Sequence, residues 1–373
     1  MKIAVVHDQL REFGGAERVL FSILELFPEA DIYTSTFDWQ SLGKHKDHIY
    51  PKKVKTTWFG KIPFINKLYS PLRFLTPPIW ESLDLDAYDL VISSTGSWMC
   101  KGVKTKKSTV HISYIHHPPR YLYGYETAIE WKKYWIVRLY ALIVNHFLRE
   151  WDFKASQRPN FLVANSIETQ KRIEKFYRRD STVIYPPVSI PKNSTSNHQP
   201  PTTNYYITVS RLARAKHVDI LIQAANEQKL PLKIVGVGRD EQYLKGLAGP
   251  TVEFLGNVSD IQLNDLYCGA KAFLFASVDE EFGIAPVEAM SRGVPVIAFA
   301  SGGLKETIKD GKNGYLYYEL SSKSLVQSIN RLNSLSPLQY SQMRMCARKE
   351  SEQYSEENFK KKFKEFVENK MKS

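Results

Sequence analysis

The stretch KIAVVHDQLREFGGAERVLFSILELF, Lys2 to Phe27, decides the fold. KIAVV is a short continuous apolar run, the mark of a parallel strand buried on both faces. A polar loop carrying Gly14 and Gly15 follows. AERVLFSILELF then sets its apolar residues at helical spacing. Strand, glycine loop and helix together form the unit from which doubly wound sheets are built.

The alternation recurs. ADIYTSTF, YDLVISS (88–94), HISYIHH (111–117) and NFLVANS (160–166) read as strands, and WKKYWIVRLYALIVNHFLREW (131–151) as a helix between two of them. YPPVSIPKNSTSNHQPPTTN (185–204) is rich in Pro, Ser, Thr and Asn and poor in apolar residues, which is the composition of a linker. Beyond it the pattern restarts with YYITVSR, a helix from about residue 217, LKIVGVG, VEFLGNV, AKAFLFAS, VPVIAFAS and GYLYY. SEENFKKKFKEFVENK (355–370) places Phe359, Phe363, Phe366 and Val367 on one helical face. The expectation is an α/β chain of two Rossmann-like parallel-sheet domains. Residues 1–190 form the first, 191–204 a linker and 205–350 the second, and 351–373 are a closing amphipathic helix. Ligands of open parallel sheets bind beyond the carboxyl ends of the strands. Two such domains facing each other are expected to put a cleft there.

Composition supports ordinary globular cores. The chain has 373 residues, 43% apolar and 24% charged. No run of 18 apolar residues is present, so no spanning helix is expected. The opening apolar run is too short for a secretory signal. Three widely spaced cysteines, Cys100, Cys268 and Cys346, suggest neither a disulfide framework nor a metal site and fit a reducing cytosol. The net charge of +12 is uneven: residues 1–200 carry 28 Lys and Arg against 19 Asp and Glu, and residues 201–373 carry 23 against 20. A basic first half suggests an anionic partner.

Five motifs carry the chemistry. In GGAERV, Gly14 and Gly15 sit between strand and helix, where backbone N–H groups and a helix start attract an anion; the plain alternative is a βα turn with glycines at positive φ. In SRLARAK (210–216), Arg211 and Lys216 follow a strand and suit a diphosphate; alternatively they are solvated cations. Gly236 and Gly238 of VGVG, with Arg239 beyond, end a strand where a base or ribose packs, though a lone GxG is weak evidence. VDEEFGIAPVEAMSRGVPVIAFASGG (278–303) holds Glu280 and Glu288 with seven residues between them. Pro286 suits a first helical position. That would put Glu288 in the first turn, where it could simply complement the helix dipole. Glu280 has no such explanation. The fifth, YIHHPPRYLY (114–123), bears His116 and His117.

DEEFGIAPVEAMSRGVPVIA resembles the E-x7-E region of retaining glycosyltransferases of the GT-B fold, the large family 4. GGAER, the His-bearing YIHHPPRYLY, ANS (164–166), SRL-x3-K and E-x7-E occur in the order of that family, and the likeness covers nearly the whole chain. VHDQLREFGGAERVL and FYRRDSTVIYPPV resemble bacterial O-antigen and exopolysaccharide mannosyltransferases. The resemblance implies a nucleoside-diphosphate sugar donor held mainly by the second domain. Glu288 would bind the ribose. Glu280 would bind the donor sugar, helped by the backbone of Phe282, Gly283 and Ile284. Arg211 and Lys216 would hold the diphosphate, reached by Gly14 and Gly15. His116 would sit beside the transferred sugar, since Tyr114, His116 and Pro118 fit the family's Tyr-x-His-x-Pro. Gly236, Gly238 and Val258 would lie near the base. It implies transfer with retention, with no dedicated protein nucleophile, no metal and no cofactor, and favours GDP-mannose over UDP-glucose or another UDP-hexose. Asp84 and Asp86 have the Asp-x-Asp spacing of metal-dependent glycosyltransferases, but they precede a strand at its amino end.

Residues 49–80 contain six Lys and Arg, no Asp or Glu, and the aromatics Trp58, Phe59, Phe64, Tyr69, Phe74 and Trp80; KGVKTKK (101–107) adds four cations. That mixture suits an anionic bilayer surface. An inward-packed loop and single-stranded nucleic acid follow as alternatives, and no nucleic-acid reading motif is present. The expectation is a cytoplasmic, peripheral enzyme of cell-surface polysaccharide synthesis at the inner face of the plasma membrane, acting on a saccharide or polyprenyl-linked acceptor. The alternative is a catalytically silent nucleotide-sugar-binding or scaffold protein on the same fold.

Overall fold

The computed structural model describes residues 1–43, 54–65, 69–127, 134–191 and 204–372. Except for Pro191 and Asn204, the expected linker lies outside the described residues, as do Lys52, Lys53 and Lys67 of the basic stretch. The chain divides into two compact units. One comprises Met1–Tyr125, Trp131–Pro187 and Glu356–Ser373, the other Glu126–Glu130 and Val188–Ser355.

The first unit holds a seven-stranded, wholly parallel sheet of order β3-β2-β1-β4-β5-β6-β7. Its strands are β1 (Ile3–His7), β2 (Asp31–Thr34), β3 (Val54–Thr56), β4 (Leu90–Thr95), β5 (Val110–Ile115), β6 (Phe161–Ala164) and β7 (Thr182–Val183). All five residues of β1 are buried, as its unbroken apolar run requires. Ile3 and Val5 face one core with Val19, Leu20, Ile23 and Leu24 of α1 (Gly15–Leu26). Ala4 and Val6 face the other with Phe59, Trp80 and Trp98. This unit also holds the helices α2 (Trp135–Ser156) and α3 (Ile167–Tyr177).

The second unit holds a six-stranded parallel sheet of order β10-β9-β8-β11-β12-β13. These strands are β8 (Tyr205–Val209), β9 (Leu232–Val235), β10 (Val252–Gly256), β11 (Ala270–Phe275), β12 (Val296–Phe299) and β13 (Gly314–Tyr317). α4 (Val218–Gln228) covers one face through Leu221, Ala224 and Ala225. α5 (Ile284–Ser291) covers the other through Ala289 and Met290.

The last helix, α6 (Glu356–Lys372), belongs to the first unit. Phe359, Phe363 and Val367 enter its core, with Phe366 partly buried beside them. Each fully buried aromatic there contributes about 1.5–3 kcal/mol. The expected boundaries shift slightly. The first unit ends at Pro187 rather than 190, and the second runs to Ser355 rather than 350. Ser351 closes a preceding helix, Pro337–Ser351, and a tight turn, Glu352–Tyr354, separates it from α6. The edge strands β3 and β7 have three and two residues, too few for an alternation pattern to register.

Both sheets reverse strand order once, between β1 and β4 and between β8 and β11. At such reversals the crossovers leave to opposite faces, and a crevice opens beyond the strand ends. The two side-chain clusters described next stand at these points.

Candidate functional site

In the first unit the reversal brings together the ends of β1 and β4. His7 ends β1, Ser94 lies near the end of β4, and His116 directly follows β5. Ser94 Oγ lies 3.1 Å from His7 Nδ1 and 2.8 Å from His116 Nε2. His7 Nε2 is 3.4 Å from Glu17 Oε1, and Glu17 Oε2 accepts the Gly14 amide at 2.9 Å. All four side chains are buried. A hydroxyl has one proton, so Ser94 donates to one ring and accepts from the other. The carboxylate of Glu17 accepts only, so it selects the His7 tautomer protonated at Nε2. His7 Nδ1 then accepts from Ser94, and Ser94 accepts from His116 Nε2–H. One carboxylate therefore sets the tautomer of His116 through two intermediaries.

Gly14 stands just before α1 in extended backbone, φ −144°, so no positive-φ turn explains it. Its amide is bound to Glu17 Oε2. A Cβ at Gly14 would lie 3.3 Å from Glu17 Oε2. Asp8, next to His7, accepts the amides of Gly96, Trp98 and Cys100, each at 2.8 Å. It holds the turn after β4, against which His117 packs at Gly96. Burial and the Asp8 charge push the Cys100 thiol well above its ordinary range, which leaves it inert.

In the second unit the reversal brings Lys216 and Glu280 together. Lys216 Nζ is 2.5 Å from Glu280 Oε2 and 3.3 Å from Ser277 Oγ. Ser277 Oγ donates to Glu280 Oε2 at 2.7 Å. The pair is half-buried, with side chains 23% and 16% exposed. Arg211 projects exposed from the same strand-end segment as Lys216. Glu280 is held from behind. Its carbonyl accepts the Gly303 amide at 2.8 Å, and Asp279 donates its amide to Ser301 Oγ at 2.9 Å. A Cβ on Gly302 would lie 1.9 Å from the Glu280 carbonyl oxygen. The two ends of the 278–303 stretch thus clamp one another.

Glu288 corrects an expectation. α5 begins at Ile284, with Gly283 before it at φ +86°, and no acid lies in its first turn. Pro286 is therefore the third helical residue rather than the first, and Glu288 the fifth. The dipole explanation falls away, because that effect decays within the first turn. Glu288 is nonetheless buried, with Tyr267 Oη 3.5 Å away. α5 ends at Ser291, and just beyond it the amides of Gly293 (φ +71°) and Val294 bond back to Met290 and Ala289.

The other expected ligand residues have identifiable surroundings. A Cβ on Gly236 would lie 2.0 Å from the Ser210 carbonyl oxygen, and one on Gly238 2.0 Å from that of Leu212. These glycines let β9 approach the Arg211 segment, so their first service is to position a cation. Val258 is partly buried against the second core. Phe282 is buried with its ring 5.1 Å from that of Tyr354. Ile284 opens α5. Asp84 Oδ1 accepts the Asp86 amide at 3.1 Å, an exposed local turn before β4. Sequence reading missed His7, Glu17, Ser94, Ser277 and the Gly302–Gly303 pair. His7 and the glycine pair each directly follow a legible strand, a position that could have marked them.

Residues 189–350, most of the second unit, match the family described as glycosyl transferases group 1. This region is a glycosyl transferases group 1 domain. Over 289 residues the chain is 24% identical to the UDP-N-acetylglucosamine–peptide N-acetylglucosaminyltransferase GtfA subunit of Streptococcus pneumoniae, covering 74% of this chain and 52% of that protein. It thus spans about half the length of that relative. Over 372 residues it is 26% identical to the alpha-1,3/1,6-mannosyltransferase ALG2 of Candida glabrata, covering 83% and 78%. The structure of Anabaena Alr3699/HepE in complex with UDP and glucose superposes over 99% of both chains with a TM-score of 0.69 at 21% identity. The fold is GT-B, with two parallel-sheet Rossmann-like domains. The matched region carries Arg211 and Lys216 in the segment after β8, Ser277 and Glu280 in the segment after β11, and Glu288 in α5.

Proposed function

We propose that this protein is a retaining, metal-independent hexosyltransferase. It would take a hexose from a nucleoside-diphosphate sugar, with GDP-mannose favoured and a UDP-hexose next. The acceptor would be a saccharide or polyprenyl-linked saccharide of cell-surface polysaccharide synthesis. The observation that carries this reading is the Lys216–Ser277–Glu280 cluster at the strand reversal of the glycosyltransferase domain. Breaking the anomeric C–O bond builds negative charge on the diphosphate, and fixed cations such as Lys216 and Arg211 stabilise it as it develops. Glu280, whose carboxylate is already oriented, suits sugar hydroxyls. Buried Glu288, with no helix-dipole role, suits the ribose. His116 is proposed for contact with the transferred sugar. Resemblance supports retention and metal independence. The mannosyltransferase relative supports mannose, and the UDP-bound neighbour keeps a UDP-hexose open.

The test is a thermal-shift and hydrolysis panel of GDP- and UDP-sugars. A donor that both stabilises the protein and is hydrolysed, with hydrolysis abolished by Glu280→Ala, is the expected result. Tight donor binding with no hydrolysis or transfer to any lipid-linked acceptor would favour the silent-binder alternative. We further propose that the protein works at an anionic membrane on the cytoplasmic side. No described helix is long and apolar enough to cross a membrane.

A further inference from the structure

The apolar surface of the first unit is not where its cations pointed. In the basic stretch, Phe59 and Trp80 are fully buried, while Trp58, Phe64 and Phe74 are 40%, 79% and 47% exposed. Lys101, counted with the surface cations, is buried against Asp152, and Lys104 pairs with Glu81. The larger feature is α2. Its last three turns bury Leu148, Asp152, Ala155 and Ser156. Its outward side is apolar: Trp135, Ile136, Leu139, Leu142, Ile143 and Phe147 are 53–69% exposed. At 100° per residue these six span an arc of about 140° opposite the buried stripe. Such a face is far more than the scattered exposed leucines of an ordinary surface.

The charges say what covers it. Residues 134–149 include Arg138, His146 and Arg149 and no Asp or Glu. The face turns polar at its end, where His146 meets Glu150 at 3.3 Å. Tyr140 donates its hydroxyl to the Pro71 carbonyl. This ties α2 to the segment that bears exposed Phe74 and half-buried Arg73, and no acid occurs between residues 49 and 80. Tyr134 and Trp135 stand at the start of the helix, 63% and 67% exposed. An apolar face with aromatic ends, flanked by Arg138 and Arg149 and meeting an acid only at Glu150 past its end, matches the boundary between anionic headgroups and acyl chains. A helix whose carboxyl half holds its other stripe in a protein core lies on a bilayer and does not cross it.

We propose that α2 is the membrane-docking element, lying in the plane of an anionic bilayer with Trp135, Leu139, Leu142 and Ile143 inserted. This deepens the membrane part of the proposed function and rests on that part alone. The test is co-sedimentation of the full chain with phosphatidylcholine vesicles, with and without phosphatidylglycerol. The wild type is compared with the triple variant Leu139→Gln, Leu142→Gln, Ile143→Gln. Wild-type binding should require the anionic lipid and weaken with salt, and the variant should bind more weakly by about tenfold or more. Its melting temperature and its rate of donor hydrolysis should not change. Trp135 gives a second measurement that does not depend on the variant folding. Vesicles should shift wild-type emission to the blue, and Trp135→Phe should remove most of that shift. Equal binding by wild type and variant would overturn the proposal, as would absent wild-type binding or a shift that survives Trp135→Phe. A wild-type dimer made monomeric by the triple variant, with vesicle binding unaltered, would overturn it by showing that a second copy covers the face. Vesicle binding without hydrolysis of any nucleoside-diphosphate sugar would sink the glycosyltransferase reading and leave the docking proposal standing.

Discussion

Two lysine–carboxylate pairs differ in one respect that decides their roles. Lys101–Asp152 is sealed, with side chains 1% and 0% exposed. Its charges are fully engaged: Tyr123 donates to Asp152 at 2.8 Å, and the Lys101 ammonium lies 4.9 Å from the Tyr177 ring centroid. Burial, with Asp152 nearby, pushes the Tyr123 phenol far above its ordinary range, so it stays a donor. Lys216–Glu280 is half-open and stands at a strand reversal. A sealed pair can only hold the fold together, whereas a half-open pair can exchange its partner for a ligand. The difference lies in surroundings, since both are a lysine beside an acid.

The comparison breaks first at the sealed pair. Lys101→Met leaves Asp152 charged and buried, and should cost about 3–5 kcal/mol of stability in urea unfolding. A loss below about 1 kcal/mol would mean that the pair is not sealed in solution. At the open pair, Glu280→Ala should lower donor turnover by about 10²–10³-fold, as removal of a preorganised polar group does. Its unfolding free energy should stay within about 1 kcal/mol of wild type. Unchanged turnover would remove Glu280 from the site.

The histidine chain sharpens the contrast further, because it positions a group without an open charge. Glu17→Gln can donate as well as accept, so it no longer dictates the His7 tautomer. Turnover should fall by about tenfold while the melting temperature holds. A loss matched by a lower melting temperature would mean that Glu17 serves only packing. The smallest effect concerns His111, buried below the sheet ends with Nε2 2.9 Å from Ser93 Oγ. Burial, aided by the charge of Arg158, lowers its pKa from 6.5 to about 3. The unfolded chain binds a proton there that the folded chain refuses. This group therefore makes stability fall as pH drops from about 6.5 toward 3. His111→Gln should flatten that part of the stability–pH curve relative to wild type, and an unchanged slope would show that His111 is solvated.

Residues with a local signature were legible. Glycine-punctuated βα units, apolar runs and the E-x7-E spacing are short-range patterns, and they located eleven of the thirteen strands among the described residues. They also pointed to Lys216, Glu280 and Glu288. The remainder depends on partners far away in the chain. Ser94 and Ser277 look like any strand-end serine until His116 and Glu280 arrive beside them. Lys101 read as one surface cation among four until the fold delivered Asp152, 51 residues on. Residues 131–151 were legible as a helix, but not which of its sides stays uncovered, because periodicity cannot say which of two faces a neighbour will cover.

What this chain determined by itself is a pair of parallel-sheet α/β units and the candidates for its charged ligand residues, because both are written in residue type and near-neighbour spacing. Only the tertiary structure decided where each charge ends up, because burial and pairing are set by strand order. That order seals Lys101 in a core, opens Lys216 at a reversal, deprives Glu288 of a helix-start role and leaves one helix face without a protein neighbour among the described residues.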